Sequence, residues 1–325
     1  MPFEARNSKG MPCALAHSLR SKRKTFEIFE ARVWCVVNLP RPMTTLKWGD
    51  IPDWQQDNVY ITSGYRPNGQ ADWRACLRSL LAIHNETFNI WSHLLGLLYF
   101  AGEAVRTFTH TLAASSARVV SAGDTLAWGI FFLGALVLLA NSTLFHLGMN
   151  HSEAMYLRLV QRDYIGIAGF IWAAQSLAAF YIFYCRETVR LVVLALLTSL
   201  ALGVAATMVV PKYAAPKYVQ FRAGLFVAMA SLGALPILYY ALTADCELCW
   251  RASSFMGLSL AVFFVGAMQY AARFPERSSP PGRFDLLGHS HQALHVAVVL
   301  GMWLMYKAAL DLFHLHTAPD FTCPI

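Results

Sequence analysis

Apolar and polar positions do not alternate finely along most of this chain; from Ile90 onward they separate into long apolar runs divided by short polar loops. Seven runs stand out, at about 90–110, 125–149, 164–185, 189–210, 221–242, 255–272 and 291–312. Each has roughly 18 to 24 residues, enough to cross about 30 Å of hydrocarbon as a helix rising 1.5 Å per residue. The pattern therefore predicts an all-α bundle of seven transmembrane helices. The first run departs most from the pattern, because Glu103 and Arg106 sit toward its far end, where long side chains can reach the interface.

Residues 1–85 read differently. They are polar and basic, with Ser21, Lys22, Arg23 and Lys24 as the densest charge run, and Pro40, Pro42, Pro52 and Pro67 exclude a long helix. This region is expected to be a cytosolic N-terminal tail. Within it residues 1–42 lack a pattern of their own, so translation begins either at Met1 or at Met43, and the stretch is either a start-site extension or a basic arm on the membrane surface. The expected organisation is thus 1–85 cytosolic, 86–312 transmembrane and 313–325 a tail on the far side. No apolar core precedes a cleavage site near the N-terminus, so the first spanning helix is expected to direct targeting.

Composition agrees with a bilayer as the main solvent. The chain is 56% hydrophobic and 14% charged, against about 25% charged in soluble domains. Its formal charge of +7 is concentrated in the N-terminal segment and forms no basic face with interleaved aromatics; nucleic acid is excluded as a partner and membrane lipid is favoured. Orientation follows from the Lys and Arg count. With the N-terminus inside, 20 of the 26 fall on the cytosolic side and 6 on the other. The C-terminus is then lumenal or extracellular. The same threading puts Cys185, Cys246, Cys249 and Cys323 on the side where disulfides persist, and Cys13, Cys35 and Cys76 in reducing cytosol. Cys246 and Cys249 form a CxxC, read as a redox pair, a structural bridge or coincidence; the pairings stay open.

Polar groups inside spanning segments are costly and mark function unless satisfied structurally. Glu86, Asn89 and His93 lie at the cytosolic start of the first span, Ser142 and His146 at the cytosolic end of the second, Asp163 and Tyr164 at the start of the third, and His289, His291 and His295 at the start of the seventh. The N-in threading brings His146, Asp163, His291 and His295 to one depth. His291 and His295 stand one helical turn apart on one face, whereas His289 points elsewhere. Three neutral imidazoles suit Zn²⁺ and leave a fourth position for water, the open pattern of catalytic sites. Asp163 would then orient or deprotonate that water. Ser142 bonds either to the site or to its own helix carbonyl. Glu86, Asn89 and His93 share a helix face and read as helix capping and packing, or alternatively as a shell or substrate entrance beside the zinc. Gly166 and Gly169 are expected to permit close helix approach.

These residues carry a resemblance. The run from Glu86 through Asn89 to His93, Ser142 with His146, Asp163–Tyr164 with Gly166, and His291 with His295 resemble, in order and spacing, the three signature motifs of the progestin and adipoQ receptor family, which shares a superfamily with adiponectin receptors and haemolysin III. The resemblance runs from about residue 58 to the C-terminus. It implies an adiponectin-receptor-like bundle with a cytosolic N-terminus, zinc on His146, His291 and His295, and Asp163 at the zinc water. For some members it implies ceramidase-like lipid amide hydrolysis, for others steroid or adipokine reception. Tyr60–Thr62, Gly64–Arg66, Pro275–Arg277 and Ser290–Gln292 resemble a branch for which the family implies a Golgi scaffold that sequesters Raf kinase and dampens MAP kinase signalling. The expected roles are that scaffold, with the plasma membrane as the other location, or a zinc-dependent hydrolase of a ceramide-type lipid. A transporter is disfavoured because the polar groups do not cross the bilayer, and a G-protein-coupled receptor by the N-in count.

Overall fold

The long apolar runs become helices in the computed structural model, which describes residues 43–68, 72–113 and 120–323. Cys13, Cys35, the Ser21–Lys24 run and Arg118 lie outside the described residues, as does the question of the start at Met1 or Met43. A short helix α1 (Trp73–Ser79) precedes seven long ones: α2 (Thr87–Arg106), α3 (Ala122–Gly148), α4 (Glu153–Ile182), α5 (Glu187–Met208), α6 (Val219–Thr243), α7 (Glu247–Ala272) and α8 (Ser290–Thr317). Six of them, α3 to α8, are long and apolar enough to cross a membrane. The seventh, α2, has 20 residues, about 30 Å at the usual rise, and packs against α3 and α8. Its Glu103 is held by Arg106, at 2.8 Å from Nε, and by the Tyr306 hydroxyl at 2.9 Å, so the polar pair of the first run is satisfied with the Arg106 side chain still exposed.

Helices α4 and α8 are the most enclosed. The apolar windows of α8 and α4 are 67% and 61% buried, against 17–22% for α5, α6 and α7, whose remaining apolar surface suits lipid. Gly166 allows α4 to lie close to α3: a Cβ there would stand 3.1 Å from Leu138 Cα. A Cβ on Gly169 would meet open space, so of the two only Gly166 needs to be small; on the α3 side Gly134 does the same, since a Cβ there would stand 2.6 Å from Ala173 Cβ.

The described residues 44–68 and 72–86, expected as a tail, are folded across one end of the bundle. Asp285, in the loop before α8, accepts from Thr62 N at 2.7 Å, Thr62 Oγ1 at 2.9 Å and Ser63 Oγ at 2.6 Å. Buried Glu276 accepts from Asn58 at 3.0 Å and from the Ser290 backbone N–H at 2.8 Å, which ties this strap to the first turn of α8. Gly64 has φ of 85°, and a Cβ there would meet Leu286 at 2.8 Å, so the strap passes where only glycine fits. The prolines forbid a long helix but not this extended, hydrogen-bonded path.

Candidate metal centre

The strap end of the bundle holds the imidazoles. His146 closes α3, while His291 and His295 occupy the first two turns of α8. Their candidate ligand atoms all lie within 4.8 Å of one another. His146 is 1% and His295 3% exposed, and His291 is half-buried. His289 occupies the N-cap position of α8 without a side-chain capping bond and stands outside the trio, as its position on the helix predicts.

Hydrogen bonding settles which nitrogens face inward. His146 Nδ1 lies 2.7 Å from Glu86 Oε2, so the imidazole donates from Nδ1 to the carboxylate. His295 Nδ1 lies 3.1 Å from the Asn89 carbonyl, which can only accept. Both rings, when neutral, therefore present Nε2 lone pairs, and these two atoms face each other at 3.1 Å. Two lone pairs so placed repel unless a cation lies between them. Ligands at 2.0–2.1 Å from one tetrahedral zinc stand about 3.3–3.4 Å apart, close to the separation seen. The donor set thus fits a zinc ion, with Nε2 of His146 and His295 as ligand atoms and His291 as the third residue.

Two of the three imidazoles, His146 and His295, are braced by hydrogen bonds. Glu86 was expected chiefly as a helix cap, yet it makes no side-chain capping bond; its carboxylate instead holds His146 and accepts from Asn89 Nδ2 at 2.7 Å. Asn89 serves twice, since its carbonyl fixes the tautomer of His295. His93 stacks on the His295 ring at 3.7 Å between centroids, and neither of its buried nitrogens makes a hydrogen bond of normal geometry. The face shared by Glu86, Asn89 and His93 is therefore turned to the imidazoles.

Two residues that the sequence left in the tail are part of this bracing. Arg66, 4% exposed, donates to Leu147 O at 2.8 Å, to Ser79 Oγ at 2.9 Å and to the His146 carbonyl. It caps the C-terminal end of α3, where a cation is favoured. Burial pulls its guanidinium down to about 10, so it stays charged at neutral pH. His84 accepts the Glu86 backbone N–H at 3.1 Å on Nδ1 and donates from Nε2 to Ser79 O at 3.1 Å, fixing the turn that presents Glu86. The Gly64–Tyr65–Arg66 run was a signal for Arg66, but only as part of a resemblance.

Beside the imidazoles a cavity of about 440 Å³ opens between α4, α6, α7 and α8. His93, Ser142, Asp163, His291 and His295 line it near the metal centre, and Phe226, Leu260, Phe263 and Val298 line its apolar length. Ser142 and Asp163 face the cavity together, beside the imidazoles. Tyr270 meets the His291 ring edge-on at 5.0 Å.

A bundle of membrane-length helices with an imidazole trio at one end and an apolar cavity beside it defines the class: an integral multi-pass membrane protein. The sequence model of haemolysin-III-related proteins matches residues 81–306, and the chain belongs to that family. Heptahelical transmembrane protein 1 of Arabidopsis thaliana is 35% identical over 270 residues, 82% of this chain and 80% of that protein. The adiponectin receptor protein of Drosophila melanogaster is 30% identical over 92% of this chain, which spans 64% of that protein's length. Human progestin and adipoQ receptor family member 3 is 29% identical over 92% of this chain and 94% of its own.

Proposed function

We propose that the protein is a zinc-dependent hydrolase of a lipid amide of the ceramide class. The observation that carries this reading is the shared wall: His291, His295, Asp163 and Ser142 border the same cavity as a run of phenylalanines and aliphatic side chains. A bound zinc would supply Lewis-acid polarisation of an acyl oxygen and activation of water at its open position. The apolar walls hold an acyl chain out of water, with its amide directed toward the imidazole end. Asp163, on the cavity wall beside the imidazoles, takes a proton from the attacking water and returns it to the amide nitrogen as the C–N bond breaks and the C–O bond forms. Fatty acid and free amine result. Purified protein is expected to release fatty acid from ceramide, and Asp163→Asn to lower kcat by at least 100-fold while retaining fold and metal content. Equal turnover in that variant would remove Asp163 from the reaction.

We infer an N-in orientation from the side on which thiols are paired. Cys185–Cys323 and Cys246–Cys249 are bridged at the end away from the imidazoles, whereas Cys76 at the imidazole end is a free thiol. An oxidising compartment on the first side and cytosol on the second accounts for that division. This orientation also admits a second role, suggested by the basic N-terminal region and by the resemblance together: a Golgi scaffold whose residues 1–85 hold Raf kinase at the membrane. That role requires residues 1–42 to face the cytosol, which tag mapping tests directly.

A further inference from the structure

The end of α7 remote from the imidazoles carries a second chemically equipped pair. Cys246 is the N-cap of α7, and Cys249 lies one turn inside the helix, bonded to it. Their environments differ. Cys246 is half-buried and its sulfur accepts the Cys249 backbone N–H at 3.1 Å; Cys249 is 6% exposed, and the Tyr240 hydroxyl of α6 donates to its sulfur at 3.2 Å. One sulfur is therefore open to attack, and the other already has a hydrogen-bond donor in place. The bridge spans a sequence separation of 3, so it restrains little of the unfolded chain, whereas Cys185–Cys323 spans 138. A bridge that adds so little constraint can open without loss of the fold.

We propose that Cys246–Cys249 is a thiol–disulfide exchange site for small thiols of the glutathione class. A thiolate attacks Cys246 Sγ; the S–S bond breaks and its electron pair leaves on Cys249 Sγ, where the Tyr240 hydroxyl stabilises the charge. A second thiolate attacks the outer sulfur of the mixed disulfide. It departs as the oxidised dimer of the small thiol, and the electron pair returns to Cys246 Sγ, which accepts from the helix N-terminus. The two protons of the consumed thiols end on the two cysteines, and the reverse sequence restores the bridge.

The test uses the full chain purified in detergent micelles, equilibrated with mixtures of reduced and oxidised glutathione, alkylated, and mapped by peptide mass spectrometry. The Cys246–Cys249 bridge is expected to open and re-form with the glutathione ratio while the circular dichroism spectrum is unchanged. Two single variants supply an independent readout. Cys249→Ser is expected to capture glutathione at Cys246 at least ten times faster than Cys246→Ser captures it at Cys249. A bridge that stays closed until denaturant is added, or equal capture by the two variants, overturns the proposal.

Discussion

Glu86 shows how much of the centre depends on single atoms. A carboxylate that receives the Nδ1 proton of a metal-binding imidazole fixes the ring's tautomer and raises the basicity of Nε2, and loss of such a partner commonly weakens metal binding 10- to 100-fold. Glu86→Gln keeps the shape but removes the charge opposite His146. It is expected to weaken zinc binding by that factor in a chelator competition assay, with little change in the helical spectrum; unaltered affinity would mean that His146 is not a ligand. The spacing of His291 and His295 was legible in the sequence because a helix of known pitch dictates it. The partnership of Glu86 was not, because an acidic residue at the start of a span reads as a cap, and only the fold brings it across 60 positions to His146. Ser142 and Asp163 were brought to the imidazoles in the sequence by depth alone, and the cavity they share was not legible there.

At the scale of elements, the strap and the turn before α2 decide where the imidazoles stand. His84 is fully buried and uses its two nitrogens in opposite senses, one accepting and one donating, so only the neutral ring fits. Burial, helped by the nearby Arg66 charge, lowers its pKa from 6.5 to about 4. Between those values the unfolded chain binds a proton that the folded chain refuses. The contribution is therefore complete above pH 6.5 and is lost as pH falls toward 4, on the order of 3 kcal/mol across the window. Metal-free protein in micelles is expected to lose thermal stability from pH 6.5 to 4.5, and His84→Gln to flatten that slope; an equally steep slope in the variant would assign it to other groups. Five of the seven spans were legible within about five residues, because hydrocarbon demands unbroken apolar helices. Helix α4, however, begins 11 and α7 8 residues before the apolar runs do, in polar first turns that leave Asp163 well inside α4 and not at its start. The strap was not legible. Its prolines and charges match those of a free tail, and its anchors, Asp285 and Glu276, lie more than 200 positions away.

For the whole molecule, orientation links the chemistry to its compartment. The charge count favoured a cytosolic N-terminus mainly through the N-terminal segment, and the bridged cysteines at the opposite end add an independent reason. Four cysteines allow three pairings, so the sequence could place them on one side but not connect them; the fold pairs Cys185 with Cys323 because it brings the loop after α4 beside the end of α8. Glycosylation tags are expected to be modified at the C-terminus and in the α6–α7 loop, and to stay unmodified at the N-terminus. A glycosylated N-terminal tag would reverse the assignment and remove the cytosolic scaffold role. The bundle as a whole then presents its imidazole trio beneath one leaflet, strapped from outside and open to an apolar cavity from within. Everything proposed for catalysis needs an ion there. Elemental analysis of the purified protein against His295→Ala tests this most directly: the expected result is one zinc per chain in the wild type and its loss from a folded variant, and wild-type protein without zinc, or a variant that keeps it, would contradict the account.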